Sequence, residues 1–353
     1  MKRITVMQKT AMALLLFMCL GIVAFAQNQK KYAVYAVGFY NQENLFDTCH
    51  DEGKNDYEYL PAKGWDALKY SSKLKNMARV ISEMGTDMLP KVGCAFIGLS
   101  EVENAKVLDD LTAELSTRAR NYKYVHVEGP DTRGIDCALL YNPHLFTVKD
   151  VKLLPYKTER PSDSTFKTRG FLTVRGEMAG EDVVAIVCHW PSRYSGSYYR
   201  ELAAKQVKAI KDSVLQAYPA TKVFVMGDMN DDPTNKSMKE ILRALPAMDE
   251  VSEGDMFNPW YNLLAKEGKG TLMYQGSWNL FDQIVLSPNL VTKKGEKDYS
   301  TLKYFKHQIF RRDYMIQQEG QYKGSPLRTS AGGRWLNGYS DHLPVVVYLV
   351  KER

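Results

Sequence analysis

Cysteine is scarce and scattered in this chain. Its 353 residues hold 5, and no two of them form a C-x-x-C pair or cluster with histidine. Thiolate-bound zinc and dithiol redox chemistry therefore have no sequence support. Long apolar runs are missing as well, since past residue 26 no stretch approaches the ~18 consecutive apolar residues a membrane span needs. Net charge is small: the formal +6 of the whole chain loses three positive charges with a basic leader, leaving +3, so any anion recognition has to be local. Internal repeats, low-complexity tracts and Pro/Ser/Gly-rich linkers are all absent.

The leader is the first feature that is present. Lys2, Arg3 and Lys9 precede an apolar run from Ala11 to Phe25, and Ala24-Phe25-Ala26 is a small-x-small motif. This pattern reads as a secretory signal peptide over residues 1–26, cleaved near Ala26. Met18, bulky where a lipoprotein signal needs a small residue, argues against a lipid anchor at Cys19. The expectation is an exported protein without stable membrane insertion, whose residues 27–353 form one domain. Cys94, Cys137 and Cys188 lie in apolar runs and read as buried free thiols; Cys49 sits in a polar segment.

Mostly apolar, often β-branched runs predict strands at 32–40, 94–99, 135–141, 171–175, 183–188, 223–226, 283–286 and 344–350. Between them, Leu74, Met77, Val80 and Ile81 share one face of a predicted helix over 70–84. Leu202, Val207, Ile210 and Val214 do so over 199–215. Strands and helices alternate along the whole length, which argues for an α/β domain with outer helices.

Polar residues with metal-binding or acid/base chemistry stand where strands stop: Asn41 and Glu43, Glu101, His189 and Asp228. Rigid strands aim such side chains while the loops stay free. In V-M-G-D-M-N-D-D-P-T-N (225–235) the acids suggest a calcium loop. Pro233 at the sixth position and Lys239 at the twelfth, where Gly and Glu are required, exclude it. Asp232-Pro233 reads as the N-cap and first residue of a helix through Ile241 and Leu242, and Asp231 is ambiguous. Asp228 and Asn230, two apart on an extended segment, would project to one side, although such a pair also occurs in plain turns. Glu101 after F-I-G-L-S is costly unless paired or bound to a cation, and Glu103 or Asn104 could cap the next helix. His189 in C-H-W-P-S-R has Arg193, a planar donor suited to phosphate oxygens, four residues on. Asp282 in F-D-Q-I-V-L-S and Asp341-His342 in G-Y-S-D-H-L-P-V could supply a carboxylate that orients an imidazole.

Taken in order, N-Q-E-N-L-F-D, S-E-V-E-N, H-W-P-S-R, G-D-M-N-D-D-P, D-Q-I-V-L-S and Y-S-D-H-L-P-V resemble the endonuclease/exonuclease/phosphatase superfamily, from Asn41 to the last strand. The resemblance implies a deoxyribonuclease I-like four-layer α/β sandwich, two packed mixed sheets flanked by helices. It implies metal-dependent hydrolysis of phosphate esters. Asn41 and Glu101 match positions that hold a divalent cation, with Asp341 a second metal-side carboxylate; Mg²⁺ or Mn²⁺ suits such oxygen ligands. Asp228 and Asn230 match the pair that activates water and contacts the scissile phosphate. Asp282 and His342 match a coupled carboxylate–imidazole pair, and His189 a phosphate-contacting histidine. Asp136 in R-G-I-D-C-A-L-L-Y lies in a motif common among relatives, with Arg133 and Tyr141 as lesser candidates.

For substrate, the leading expectation is nucleic acid cleaved by an exported nuclease. Residues 301–335 mix Lys303, Lys306, Arg311, Arg312, Lys323, Arg328 and Arg334 with Tyr304, Tyr314, Tyr322 and Trp335, a composition suited to phosphates and unstacked bases. An ordinary solvated loop would look the same. The alternative is a sphingomyelinase-like or inositol-phosphatase-like enzyme acting on a lipid or small-molecule phosphate, and the small net charge weakens duplex binding. No protein partner is indicated.

Overall fold

The computed structural model describes residues 31–353; the predicted signal peptide lies outside them. In chain order the strands of the two large sheets are β1 (Tyr32–Leu45), β2 (Phe96–Val102), β3 (Lys123–His126), β4 (Asp136–Tyr141), β5 (Phe146–Leu154), β6 (Phe171–Met178) and β7 (Glu181–His189). They continue as β8 (Lys222–Asp228), β9 (Ala244–Leu245), β10 (Met256–Phe257), β11 (Asp282–Leu286), β12 (Lys303–Ile309) and β13 (Val345–Glu352). The helices are α1 (Ala67–Glu83), α2 (Ala105–Ser116), α3 (Ser197–Ala217) and the short α4 (Tyr261–Ala265).

One six-stranded sheet runs β12-β13-β1-β2-β4-β3, and a seven-stranded sheet runs β5-β6-β7-β8-β11-β10-β9. Strands apolar on both faces explain the layering. On β1, Val37 and Phe39 face the second sheet while Ala36 and Tyr40 face α1 and α2. On β8, Phe224 and Met226 point between the sheets while Val223 and Val225 meet α3. The result is the expected four-layer sandwich with three apolar interfaces. Sheet contact is close at Gly98, where a Cβ would stand 2.8 Å from Met226 Sδ, so glycine there sets the sheet separation.

Helix starts follow local chemistry. Asp66 caps α1 by accepting from Lys69 N, and Asn104, not Glu103, caps α2 by accepting from Val107 N. Asp232 is not a helix cap. Its own amide donates to Asn235 Oδ1 at 2.7 Å, its carbonyl accepts from Asn235 N, and the next helical turn begins only at Ser237. Proline at 233 thus sits in a turn, because the Asp232 carboxylate serves distant partners instead. The segment before the last strand is no plain solvated loop, since it contains β12 and a short Ser330–Trp335 hairpin.

Cys94, Cys137 and Cys188 are buried free thiols, as expected, and Cys49 is exposed and free. Burial pushes the Cys188 thiol up to about 12, so it packs as a neutral hydrophobe.

Candidate active site

Strand register brings the polar residues together at one end of the sandwich. Parallel pairing of β7 with β8 sets His189 opposite Asp228, and antiparallel pairing of β8 with β11 sets Asp282 opposite Asp228. In the other sheet, Asn41 pairs with Ser100, next to Glu101. The close β7–β8 approach requires Gly227, whose added Cβ would lie 2.3 Å from the Cys188 carbonyl oxygen.

Strained backbone marks the last part of β1, the register shift of β2 and the turn just past β8. Glu43, Asn44, Glu101 and Asn230 all adopt positive φ, between 46° and 59°, a conformation that costs non-glycine residues energy and concentrates where function demands a geometry. At φ +49°, Asn230 turns the chain, so Asp228 and Asn230 are not successive positions of one extended segment. Their relationship is instead direct: Asn230 N donates to Asp228 Oδ1 at 2.9 Å. The Asn230 side-chain amide donates to the Trp190 carbonyl at 3.0 Å.

Asp228 is the hub. Its Oδ2 accepts from Asn41 Nδ2 at 3.0 Å and lies 3.7 Å from His189 Nε2 and 3.8 Å from His342 Nε2. Glu101 completes the opposite side, with Oε1 at 3.7 Å from His189 Nε2 and Oε2 accepting from Asn44 N at 3.0 Å. Asn41 also donates to Glu101 Oε1 at 3.4 Å, while its Oδ1 accepts from Glu43 N at 2.8 Å. As placed, Asn41 presents its amide nitrogen to the carboxylates and keeps its oxygen on the backbone. Asp341 pairs with Arg328 at 3.1 Å, and its other oxygen is 4.0 Å from His342 Nε2. It stands at the rim, outside the tight cluster.

Protonation follows from burial and neighbours. Burial pushes the Asp228 carboxyl up to about 7, with Asp282 and Glu101 adding to it and His342 opposing. Burial, Arg169 and Arg133 hold the His189 imidazole well below its ordinary value, so it is neutral. Burial alone would depress His342 too, but Asp282 and Asp228 outweigh it and hold the ring protonated well above its usual range. His189 Nδ1 and Asp282 Oδ1 are buried without a hydrogen-bond partner among the described residues.

Ligand atoms of Glu101, His189 and Asp228 all lie within 4.8 Å of one another. Two facing carboxylates and a neutral imidazole form a donor set that fits a divalent cation.

Sequence reasoning expected Arg193 to face phosphate. The structure engages its donors elsewhere: Nε on Asn230 O, Nη1 on Asn279 Oδ1 and Nη2 on Asp232 and Asn235. It clamps the loop that carries Asn230. Asp231, undecided from sequence, is buried between Arg200 Nε at 2.8 Å and Ser237 Oγ at 2.6 Å, which is a structural role. Two contributors escaped sequence reading. Ser340 Oγ donates to the Asn41 carbonyl at 2.8 Å and accepts from His342 N, tying the last motif to the first. The Trp190 carbonyl anchors Asn230, and no side-chain pattern announces a backbone acceptor.

A family model described as Endonuclease/Exonuclease/phosphatase family matches residues 36–351. The chain belongs to that family. Endonuclease/exonuclease/phosphatase enzymes hydrolyse phosphate esters with a divalent metal, and the Glu101–His189–Asp228 cluster is placed where one could be held. Among solved structures, the chain is similar to an endonuclease/exonuclease/phosphatase family protein from Bacteroides thetaiotaomicron. Identity is 16%, 91% of this chain and 99% of that chain are covered, and the TM-score is 0.55. It is also similar to a mannosyl-6-phosphatase from Bacteroides thetaiotaomicron (17% identity, 89% and 99% covered, TM-score 0.54) and to TDP2 from Caenorhabditis elegans (12%, 94% and 79%, 0.53). At such identities the likeness is one of fold. No curated protein matches.

Proposed function

We propose that this chain is an exported, Mg²⁺- or Mn²⁺-dependent hydrolase whose substrate is a small-molecule phosphate ester. The observation that carries the catalytic reading is the convergence of Asn41, His189 and His342 on Asp228 Oδ2, opposite Glu101. Asp228 is the base. Its proton affinity, raised toward neutrality, suits it to take a proton from water near pH 7. His342, kept cationic by Asp282, faces the oxygens on which negative charge accumulates as water attacks phosphorus and the P–O ester bond breaks. Neutral His189 and the amide of Asn230 are further phosphate contacts. A cation held at Glu101, beside Asn41 and with Asp341 at the rim, would neutralise ester charge.

Substrate class rests on the basic segment before the last strand. Lys306 lies over the Tyr348 ring, Arg312 pairs with Asp87, and Arg328 with Glu43 and Asp341, while Lys303 donates to Asn289 O. With so many cations engaged, the segment is a poor track for a polyanion. This favours the small-ester alternative over the nuclease expected from composition. The similarity to a mannosyl-6-phosphatase supports it, and the similarity to TDP2, which in the D. rerio protein is seen complexed with a single strand DNA product, keeps nucleic acid as the rival. Export is supported by the basic-then-apolar leader ending at Ala24-Phe25-Ala26.

The test is a substrate panel with Mg²⁺ or EDTA: a sugar monophosphate, a generic phosphodiester, sphingomyelin, plasmid DNA and RNA. EDTA-sensitive turnover strongest on the sugar monophosphate is the expected result. Fastest cleavage of DNA or RNA overturns the substrate class, and no EDTA-sensitive turnover of any ester overturns the catalytic reading.

A further inference from the structure

A second group of metal-binding side chains, sharing no residue with the candidate active site, lies at the edge of the six-stranded sheet. Ligand atoms of His126, Glu128 and Asp136 all lie within 4.8 Å of one another. His126 is the last residue of the edge strand β3, and Asp136 is the first residue of its neighbour β4. Their antiparallel pairing brings the two side chains together across the connecting loop, which carries Glu128.

Two of the three need no ion to be held in place. His126 Nε2 lies 3.0 Å from Asp136 Oδ2, and the side chains are 7% and 4% exposed. Gly129 N donates to the same oxygen at 3.2 Å, and a Cβ at Gly129 would stand 2.4 Å from Asp136 Oδ1. The loop backbone therefore fixes the carboxylate, as an outer partner does for a metal ligand. Ligand atoms about 2 Å from a tetrahedral centre sit about 3.3 Å apart. The His126–Asp136 separation of 3.0 Å is close to that spacing.

Glu128 is the movable member. It is exposed, and its Oε1 pairs with Lys54 Nζ at 2.9 Å. Such a surface ion pair is weak, so a cation can take Glu128 from it. Lys54 is not stranded by the exchange, because Nζ also donates to the carbonyls of Gly129 at 3.0 Å and Asp131 at 3.3 Å.

Donor chemistry selects the ion. One imidazole nitrogen with two carboxylates suits Zn²⁺, whereas Mg²⁺ favours oxygen ligands and keeps its waters. We propose that His126, Glu128 and Asp136 form a second metal site, for Zn²⁺, which ties the loop between β3 and β4 to the sheet edge. Three protein ligands leave the fourth position to water.

The test is equilibrium dialysis against ZnCl₂ in an Asp228→Asn background, which removes one carboxylate from the candidate active site. Zinc should bind this protein, and adding His126→Gln or Glu128→Ala should weaken one equivalent at least about tenfold. Glu128 is exposed, so its variant keeps the site testable even where His126→Gln fails to fold. Roughly tenfold excess Mg²⁺ should leave the zinc in place. Unchanged zinc affinity and stoichiometry in the Glu128→Ala variant, or no zinc bound in the Asp228→Asn protein, overturns the proposal. Displacement by Mg²⁺ overturns the assignment to zinc. No ester is hydrolysed in this measurement, so its outcome is separate from that of the catalytic reading.

Discussion

Asp282 and His342 lie 60 positions apart in the chain, and the fold brings Asp282 Oδ2 within 2.7 Å of His342 Nδ1. The carboxylate comes from the first residue of β11 and the imidazole from the bend before β13, so the pair joins one sheet to the other. Both are buried, which makes the attraction between carboxylate and imidazolium stronger than it would be in water.

Asp282→Asn keeps the shape and removes the charge. Burial then dominates at His342, whose pKa should fall, and the imidazolium is lost at lower pH. The expected outcome is a kcat loss of about 10²- to 10⁴-fold and an alkaline limb of the pH–rate profile displaced toward acid. In wild type the raised pKa contributes stability that is present below about pH 6.5 and is lost as pH rises through the folded value. An alkaline limb that does not move would refute the coupling.

The Asp228 carboxyl is pushed up to about 7 from an ordinary 3.8. Its folded state therefore holds a proton that the unfolded state has released, and metal-free protein should lose stability as pH climbs from 4 to 7. One such group gives at most about 1.4 kcal/mol per pH unit. Thermal melts in EDTA should show this slope, which Asp228→Asn should reduce and added Mg²⁺ should offset. The same variant should fold yet lose at least about 10²-fold in turnover; near-wild-type rates would remove Asp228 from the mechanism.

Asp232 accepts from Leu280 N at 2.7 Å and from Arg193 Nη2 at 2.9 Å. Asp232→Ala strands both donors and should cost about 1–3 kcal/mol in urea unfolding. Because Arg193 also holds the Asn230 carbonyl, kcat should fall severalfold as well. Full activity in this variant would show that the clamp does not reach the site.

Lys73 is buried, with its ammonium on Thr329 Oγ1 and the Tyr339 carbonyl. Burial lowers its pKa to about 8. Lys73→Met keeps most of the volume but removes the buried ammonium's hydrogen bonds, leaving the Tyr339 carbonyl only its 3.3 Å bond from Thr329 Oγ1, for a cost of about 1–3 kcal/mol by chemical denaturation. Loosening the segment that leads to Asp341 and His342 should lower kcat more than it raises KM; an unchanged kcat would confine Lys73 to stability.

The sandwich was legible wherever strands are apolar on both faces. Predicted runs at 183–188 and 223–226 became β7 and β8 with a few residues added at each end. Alternation failed where the ladder slips. β5 shifts register between Val148 and Asp150 and β12 between Tyr304 and Lys306, so neither shows a steady two-residue period, and both were missed.

The members of the candidate site were legible too, because Glu101, His189, Asp228, Asp282 and His342 stand at or next to strand ends and Asn41 at the end of the apolar run of β1, and such places can be found from the chain alone. Local spacing failed for Asp232, whose carboxylate turned away from the nearby helix toward Leu280 and Arg193. What the sequence determined by itself was the family, the layered architecture and the set of acids and imidazoles available for chemistry. The tertiary structure alone decided which of them touch: that Asn230 N donates to Asp228, that Arg193 clamps the loop carrying Asn230, and that Ser340 ties the last motif to the first. The physical reason is that hydrophobic period and turn residues are local properties. The partner of a charged side chain depends on sheet register and on positive-φ turns that bring together segments far apart in the chain.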